Sequence, residues 1–362
     1  MNAIYLTDRI AIGPGCPCFV IAEAGVNHNG DLARALAMVD AAAVAGADAV
    51  KFQTFKTENI ITRTAPKAQY HIETTGDDKQ QSWFDLLKSQ ELTEEMHVAL
   101  MERCREKGIL FMSTPYDADS VDMLHRLGVV VYKVASTDAN NVFLLKHMAD
   151  KGLPMILSTA MSTVEELDYS IKVIRGRGLQ GLVVMQCTGN YPSVDADANL
   201  RAMQTMAQRF DLPTGYSDHV PGVYAAVAAV ALGACVYEKH FTLDRNLPGP
   251  DHRASLVPSE LVELIAAIRS TERMLGDGVK RVMPSEDKNR SILRKSIVAA
   301  RSMPRGTLIG CSDVRVLRAG GQGMPAHRYY DVLGRITKVA LMVAEPIEED
   351  MLGEPLSVHD YS

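Results

Sequence analysis

The sequence predicts a (β/α)8 barrel followed by a small β-rich domain, and three observations carry that prediction. A short β-branched run, a polar or glycine-containing turn and a longer segment of helical periodicity recur eight times before residue 276. Beyond residue 290 the alternation stops and the chain reads as short β segments joined by turns. A length of 362 residues suits one large barrel with a small appendage. Eight strands each followed by a helix close a barrel, whereas six would form a doubly wound open sheet.

The strands are expected at 18–23, 49–53, 109–113, 129–134, 155–158, 182–187, 214–217 and 235–238. Amphipathic segments between them include 31–45, 93–107, 162–174, 200–210 and 222–232, with a last one at 258–275. Asp31 suits the first helix cap, Ser162-Thr163-Val164-Glu165 reads as a capping box, and Pro258 falls near a first helical position. Gly46, Gly108, Gly128, Gly152 and Gly233 fall near helix ends, where a left-handed residue closes the last turn.

A polar stretch at 56–92, containing Gly76-Asp77-Asp78 and the single tryptophan, Trp83, interrupts the alternation after the second strand. Loops of that length commonly cover a site, so a lid over the barrel mouth is expected. The domains are read as a barrel at 1–280, a polar linker at 281–292 and the β-rich domain at 293–362. A β domain this small commonly needs a partner surface.

Composition excludes several classes. The chain is 47% hydrophobic and 23% charged, with a net charge of −6 and its basic residues dispersed, so it carries no nucleic-acid footprint. No apolar stretch reaches membrane-span length and no secretory leader opens the sequence, which points to a cytoplasmic protein. The six cysteines lack a zinc-site spacing; Cys104, Cys187, Cys235 and Cys311 sit in apolar runs as reduced, structural thiols.

In such barrels the C-terminal strand ends carry the chemistry. Here they deliver Glu23, Asn27 and His28; Lys51 and Gln53; Ser113 and Thr114; Lys133, Ser136 and Asp138; Ser158 and Thr159. The later strands add Gln186, Thr188 and Tyr191; Ser217, Asp218 and His219; and Glu238, Lys239 and His240. Such a ring is costly to bury unless a charged ligand or a metal satisfies it. His219 and His240 follow adjacent strands, so their imidazoles can converge on one divalent ion, with Mn2+ favoured and Mg2+, Co2+ or Zn2+ as alternatives. Lys51 and Lys133 among hydroxyls suit a phosphate and a carboxylate. The same amines also suit a Schiff base, or plain ion pairs with Glu23 and Glu238.

Several runs resemble those of the sialic acid synthases. They are Ile21-Ala22-Glu23-Ala24-Gly25-Val26-Asn27-His28, Val50-Lys51-Phe52-Gln53, Ser113-Thr114-Pro115, Lys133-Val134-Ala135-Ser136-Thr137-Asp138, Leu157-Ser158-Thr159-Ala160-Met161, Gln186-Cys187-Thr188 with Tyr191-Pro192, Gly215-Tyr216-Ser217-Asp218-His219, and Glu238-Lys239-His240-Phe241 with Pro248-Gly249-Pro250-Asp251. Order and spacing agree over nearly the whole barrel. Arg294-Lys295-Ser296-Ile297-Val298-Ala299, Gly306-Thr307-Leu308-Ile309 and the 318–323 loop resemble the antifreeze-like (SAF) domain that ends those enzymes.

The resemblance implies condensation of phosphoenolpyruvate with the open-chain aldehyde of an N-acyl hexosamine, N-acetylmannosamine or a diacetamido relative. It implies that His219 and His240 hold the metal, and that Lys51, Thr114, Lys133, Ser136, Ser158 and Ser217 surround phosphoenolpyruvate. It assigns Glu23, Asp138, Tyr191, Asp251 and Arg318 to the acceptor and its reacting carbonyl, Arg318 reaching across a domain-swapped homodimer. Asp138 stands where bacterial members often have glutamate, and Gly189 where some have an asparagine.

Overall fold

Eight parallel strands form one sheet in a computed structural model that describes residues 2–77 and 79–355. They are β1 (Phe19–Gly25), β2 (Ala49–Thr54), β3 (Leu110–Pro115), β4 (Tyr132–Val134), β5 (Met155–Ser158), β6 (Leu182–Cys187), β7 (Thr214–Asp218) and β8 (Val236–His240). The hydrogen-bonded order is β3-β2-β1-β8-β7-β6-β5-β4, and β3 lies alongside β4 to complete the ring. The eight-fold βα alternation in the sequence is therefore a (β/α)8 barrel, with every expected strand within a few residues of its place.

The outer layer comprises α1 (Leu32–Ala45), α2 (Glu94–Lys107), α3 (Ala118–Leu127), α4 (Val142–Ala149), α5 (Val164–Arg175), α6 (Ala202–Phe210), α7 (Tyr224–Ala231) and α8 (Pro258–Leu275). Asp31 caps α1 by accepting from the Arg34 amide, and Pro258 opens α8. The capping box of α5 is one residue later than the sequence suggested: Thr163 accepts from the Glu166 amide and Glu166 returns the bond, because the helix begins at Val164.

Alternation along the strands sorts the core into two layers. Val20, Ala22, Val50 and Phe52 face the helices, whereas Phe19, Ile21, Ala49, Met112, Ile156 and Val236 fill the barrel interior. Leu6 and Ile12, from a short hairpin whose strands are Ile4–Tyr5 and Ala11–Ile12, close that interior layer. Each such side chain contributes about 1.5–3 kcal/mol on burial. Because side chains alternate with period two, the interior positions beyond this plug are Glu23, Lys51, Lys133, Glu238 and His240, all buried.

The segment 56–92 is not one structureless loop. It contains short helices at Thr57–Ile60, Gln69–Thr75 and Trp83–Lys88. Arg63 lies 4.4 Å from the centroid of the Phe84 ring, and the Thr57 amide donates to Glu91 Oε1 at 2.7 Å. Asp78 of the Gly76-Asp77-Asp78 run lies outside the described residues.

The chain divides into two units, Met1–Asp277 and Gly278–Ser362. In the second, β9 (Lys295–Ala299) pairs antiparallel with β10 (Val314–Arg318), and β11 (Arg335–Thr337) with β12 (Leu352–Pro355). Its own core includes Ile297, Val314, Met324, Leu341 and Ile347. The stretch expected as a linker carries a helix, Asp287–Leu293. Cys311, expected in an apolar run, is exposed; the other five cysteines are also free thiols, with Cys104, Cys187 and Cys235 buried. Residues 356–362, expected to finish this domain, lie outside the described residues. Among the described residues no helix is long and apolar enough to cross a membrane.

Candidate active site

The strand ends open on a cavity of about 720 Å³. Glu23, Lys51, Thr114, Lys133, Ser136 and Asp138 line it, as do Ser158, Tyr191, Ser217, His219, His240 and Asp251. Twelve of the thirteen residues singled out by motif thus share one space. The thirteenth, Arg318, belongs to the second unit, exposed at the end of β10.

The floor is a lattice of alternating charge. Lys51 Nζ lies 2.8 Å from Glu23 Oε2, donates to Thr114 Oγ1 at 3.0 Å and lies 3.7 Å from Glu238 Oε1. Lys133 Nζ lies 3.9 Å from the same Glu238 oxygen and donates to Ser158 Oγ at 2.5 Å. Ser217 Oγ is 3.4 Å from that oxygen as well. Glu238 therefore sits between both ammonium groups, a position the alternation of β8 could have disclosed: Glu238 and His240 face inward while Lys239 faces out.

Burial and pairing push the two carboxylates apart. Burial raises the Glu23 pKa to about 7, with Lys51 opposing and Glu238 adding to the rise. Burial also opposes ionisation of Glu238, but Lys133 and Lys51 hold it below the usual carboxylate value. Burial lowers Lys133, whereas Glu23 and Glu238 keep Lys51 raised against the same effect. One carboxylate is held ionised and its neighbour titrates near neutrality, a division that suits proton transfer.

The ring centroids of His219 and His240 are 5.5 Å apart, and the Tyr191 ring, tilted by 37°, has its centroid 3.9 Å from that of His219. His219 Nδ1 is committed to the Thr188 carbonyl at 2.6 Å, which leaves Nε2 as its lone-pair nitrogen when neutral. Burial pulls the His219 pKa down, but the Cys187 sulfur 3.9 Å away and the Thr188 carbonyl outweigh it and hold it above the ordinary value. His240 Nδ1 is buried without a hydrogen-bond partner among the described residues, and burial drives its pKa well below the ordinary value. Asp251 Oδ2 lies 4.0 Å from that nitrogen, its pKa raised by burial to about 6. Two imidazole nitrogens beside a carboxylate fit a divalent cation. Among the described residues no group of three or more His, Cys, Asp or Glu side chains has metal-holding geometry, so water or substrate oxygens would complete the shell.

Other motif residues serve the scaffold. Asp218 and Lys239 turn outward and pair at 2.8 Å, and Asp218 also accepts from the Val220 amide at 2.8 Å, next to His219. Asn27 donates to the Phe241 carbonyl, His28 accepts from the Gly30 amide, Ser113 is bonded to Thr54, and Thr159 donates to the Met185 carbonyl. Polarity at a strand end did not distinguish these from the inward set; side-chain direction does. Sequence reading also left unassigned the lid residues Ile60, Trp83, Leu86, Leu87 and Gln90, which line the same cavity.

Comparison with known proteins agrees with this geometry. The NeuB family model matches residues 38–280, and the SAF domain model matches residues 294–353. The N,N'-diacetyllegionaminic acid synthase of Legionella pneumophila is 45% identical over 312 residues, covering 85% of this chain and 87% of that protein. The protein of the same name from Campylobacter jejuni is 42% identical over 319 residues, covering 88% and 95%. The crystal structure of N-acetylneuraminic acid synthetase from Leptospira borgpetersenii superposes with a TM-score of 0.70 at 36% identity, covering 80% of this chain and 95% of that one. With its barrel, its strand-end motifs and its closing SAF domain, the chain belongs to the NeuB family, the sialic acid synthases.

Proposed function

We propose that the protein condenses phosphoenolpyruvate with the open-chain aldehyde of an N-acylated amino sugar, giving a nine-carbon sialic-acid-type sugar and inorganic phosphate. The observation that carries this reading is the convergence of Lys51 and Lys133 on one Glu238 oxygen, in the cavity where His219 and His240 stand 5.5 Å apart. The acceptor we favour is the diacetamido trideoxy hexose of N,N'-diacetyllegionaminic acid, on the strength of the relatives at 45% and 42% identity. N-acetylmannosamine is the second candidate.

In this reading Lys51 and Lys133 hold the phosphate and carboxylate, with Thr114, Ser136, Ser158 and Ser217 donating hydrogen bonds. Asp138, Tyr191 and Asp251 hold the acceptor so that its aldehyde carbon faces the methylene of phosphoenolpyruvate. A divalent cation held by His219 and His240, Mn2+ first and Mg2+ or Co2+ next, supplies a Lewis acid for the aldehyde oxygen. As the C–C bond forms, positive charge develops at C2, and Glu23 takes a proton from the water that adds there. The C2–O bond of the resulting adduct then breaks and phosphate departs toward the two ammonium groups. Arg318 reaches the acceptor from the SAF domain of a second copy, in a domain-swapped homodimer.

The test is phosphate release from phosphoenolpyruvate with Mn2+, measured with each acceptor. The expected outcome is acceptor-dependent release, with higher kcat/KM for the diacetamido sugar. Release that ignores the acceptor, or none with either sugar, overturns the reading.

A further inference from the structure

Under the lid the cavity changes character. Phe55, Ile60, Leu86 and Leu87 give it an apolar wall. Two polar atoms of lid residues that line it, Trp83 Nε1 and Gln90 Oε1, are buried and have no hydrogen-bond partner among the described residues. Gln90 is 2% exposed, so solvent does not serve its oxygen. Native interiors seldom leave such atoms unpaired, and a pair of them on one ligand cavity points to groups that a ligand brings.

Their chemistry is complementary to a single functional group. An indole N–H only donates and a carboxamide oxygen only accepts. A secondary amide offers one acceptor and one donor in fixed relation, and an acetamido group adds a methyl for the apolar wall. A water molecule bridging the two atoms would have only those two polar partners, the fewest an ordered water makes, and would leave the apolar wall uncovered. The indole is held in place by His71, whose ring stands edge-on at 5.3 Å and 77°.

We propose that this annex binds the second acylamino group of the acceptor, the one remote from the aldehyde. Trp83 Nε1–H donates to its carbonyl oxygen, Gln90 Oε1 accepts its N–H, and Ile60, Leu86 and Leu87 pack its methyl. A sugar with a single acylamino group, placed with its aldehyde at the strand ends, leaves both protein atoms unsatisfied. The site thereby selects diacylated over monoacylated acceptors, and it rests on the acceptor chemistry proposed above.

Trp83→Phe keeps the ring and removes the N–H, whereas Gln90→Leu removes the amide. Each is expected to lower the ratio of kcat/KM for the diacetamido sugar over that for N-acetylmannosamine about tenfold, the scale of one buried hydrogen bond. An unchanged ratio in both variants, whether the two activities fall together or hold together, overturns the proposal. Trp83 is the only tryptophan, so wild-type fluorescence reports occupancy of the annex directly. If the wild type releases phosphate with neither sugar, the reaction reading fails. Titration with each sugar then still decides the annex: a saturable change in Trp83 emission with the diacetamido sugar, weakened about tenfold by Gln90→Leu and for N-acetylmannosamine, supports it, and equal affinities or a flat signal overturn it.

Discussion

Glu23 concentrates the chemistry at the scale of single residues. Its pKa of about 7 arises from burial beside Glu238, partly offset by Lys51, and it must be ionised to accept a proton from water. Activity is therefore expected to fall as pH drops through about 7, seen as an acidic limb in kcat/KM, and Glu23→Gln should abolish turnover while leaving phosphoenolpyruvate binding measurable. The stability sign is opposite. A carboxyl whose folded pKa is raised favours the folded state below its ordinary value of 4.5, and that contribution is lost as pH rises through about 7. Unfolding followed by denaturant across that window should show a decline in the wild type that Glu23→Gln lacks. His219→Ala should abolish metal-dependent phosphate release and weaken Mn2+ binding in calorimetry; retained Mn2+ affinity would place the ion elsewhere.

Among the elements, β8 carries His240 and β7 delivers His219 one residue past its end, and the outward pair Asp218–Lys239 joins the two strands there. Both side chains are almost fully buried, at 1% and 2% exposure, so removing one partner strands a charge. Lys239→Met is expected to cost about 3–5 kcal/mol of stability, and the double variant Asp218→Asn/Lys239→Met to recover much of it, as read by denaturant unfolding. The same two strands show what the sequence could disclose. Their period-two alternation separates Glu238 and His240 from Lys239, so the inward set was legible once strand boundaries were known. Ser113 and Asp218 lie within β3 and β7, so the same alternation turns them away from Thr114 and Ser217, whereas the direction of His28 and Thr159 was not legible because they lie past the strand ends. The lid's three short helices were hidden for another reason: at four to seven residues each they lack the turns needed for an amphipathic stripe, and packing specifies them instead.

For the whole molecule, the division near Asp277 follows from the change of pattern, since the βα alternation ends with the helix closing at Leu275 and short strands and short helices follow. The proposed exchange of Arg318 between copies has a direct consequence. Chains carrying His219→Ala and chains carrying Arg318→Ala are each expected to be inactive, yet a mixture refolded together should regain about a quarter of wild-type activity, because each heterodimer contains one intact composite site. No recovery would place Arg318 in its own chain's site. In the proposed reaction water attacks C2 of phosphoenolpyruvate and the C–O bond breaks, in a site built from β-strand ends. The most direct test is turnover with Mn2+ and the diacetamido sugar in 18O-labelled water, followed by mass spectrometry of both products. Label is expected in the new sugar acid and none in the phosphate; label in the phosphate would rule out C–O cleavage.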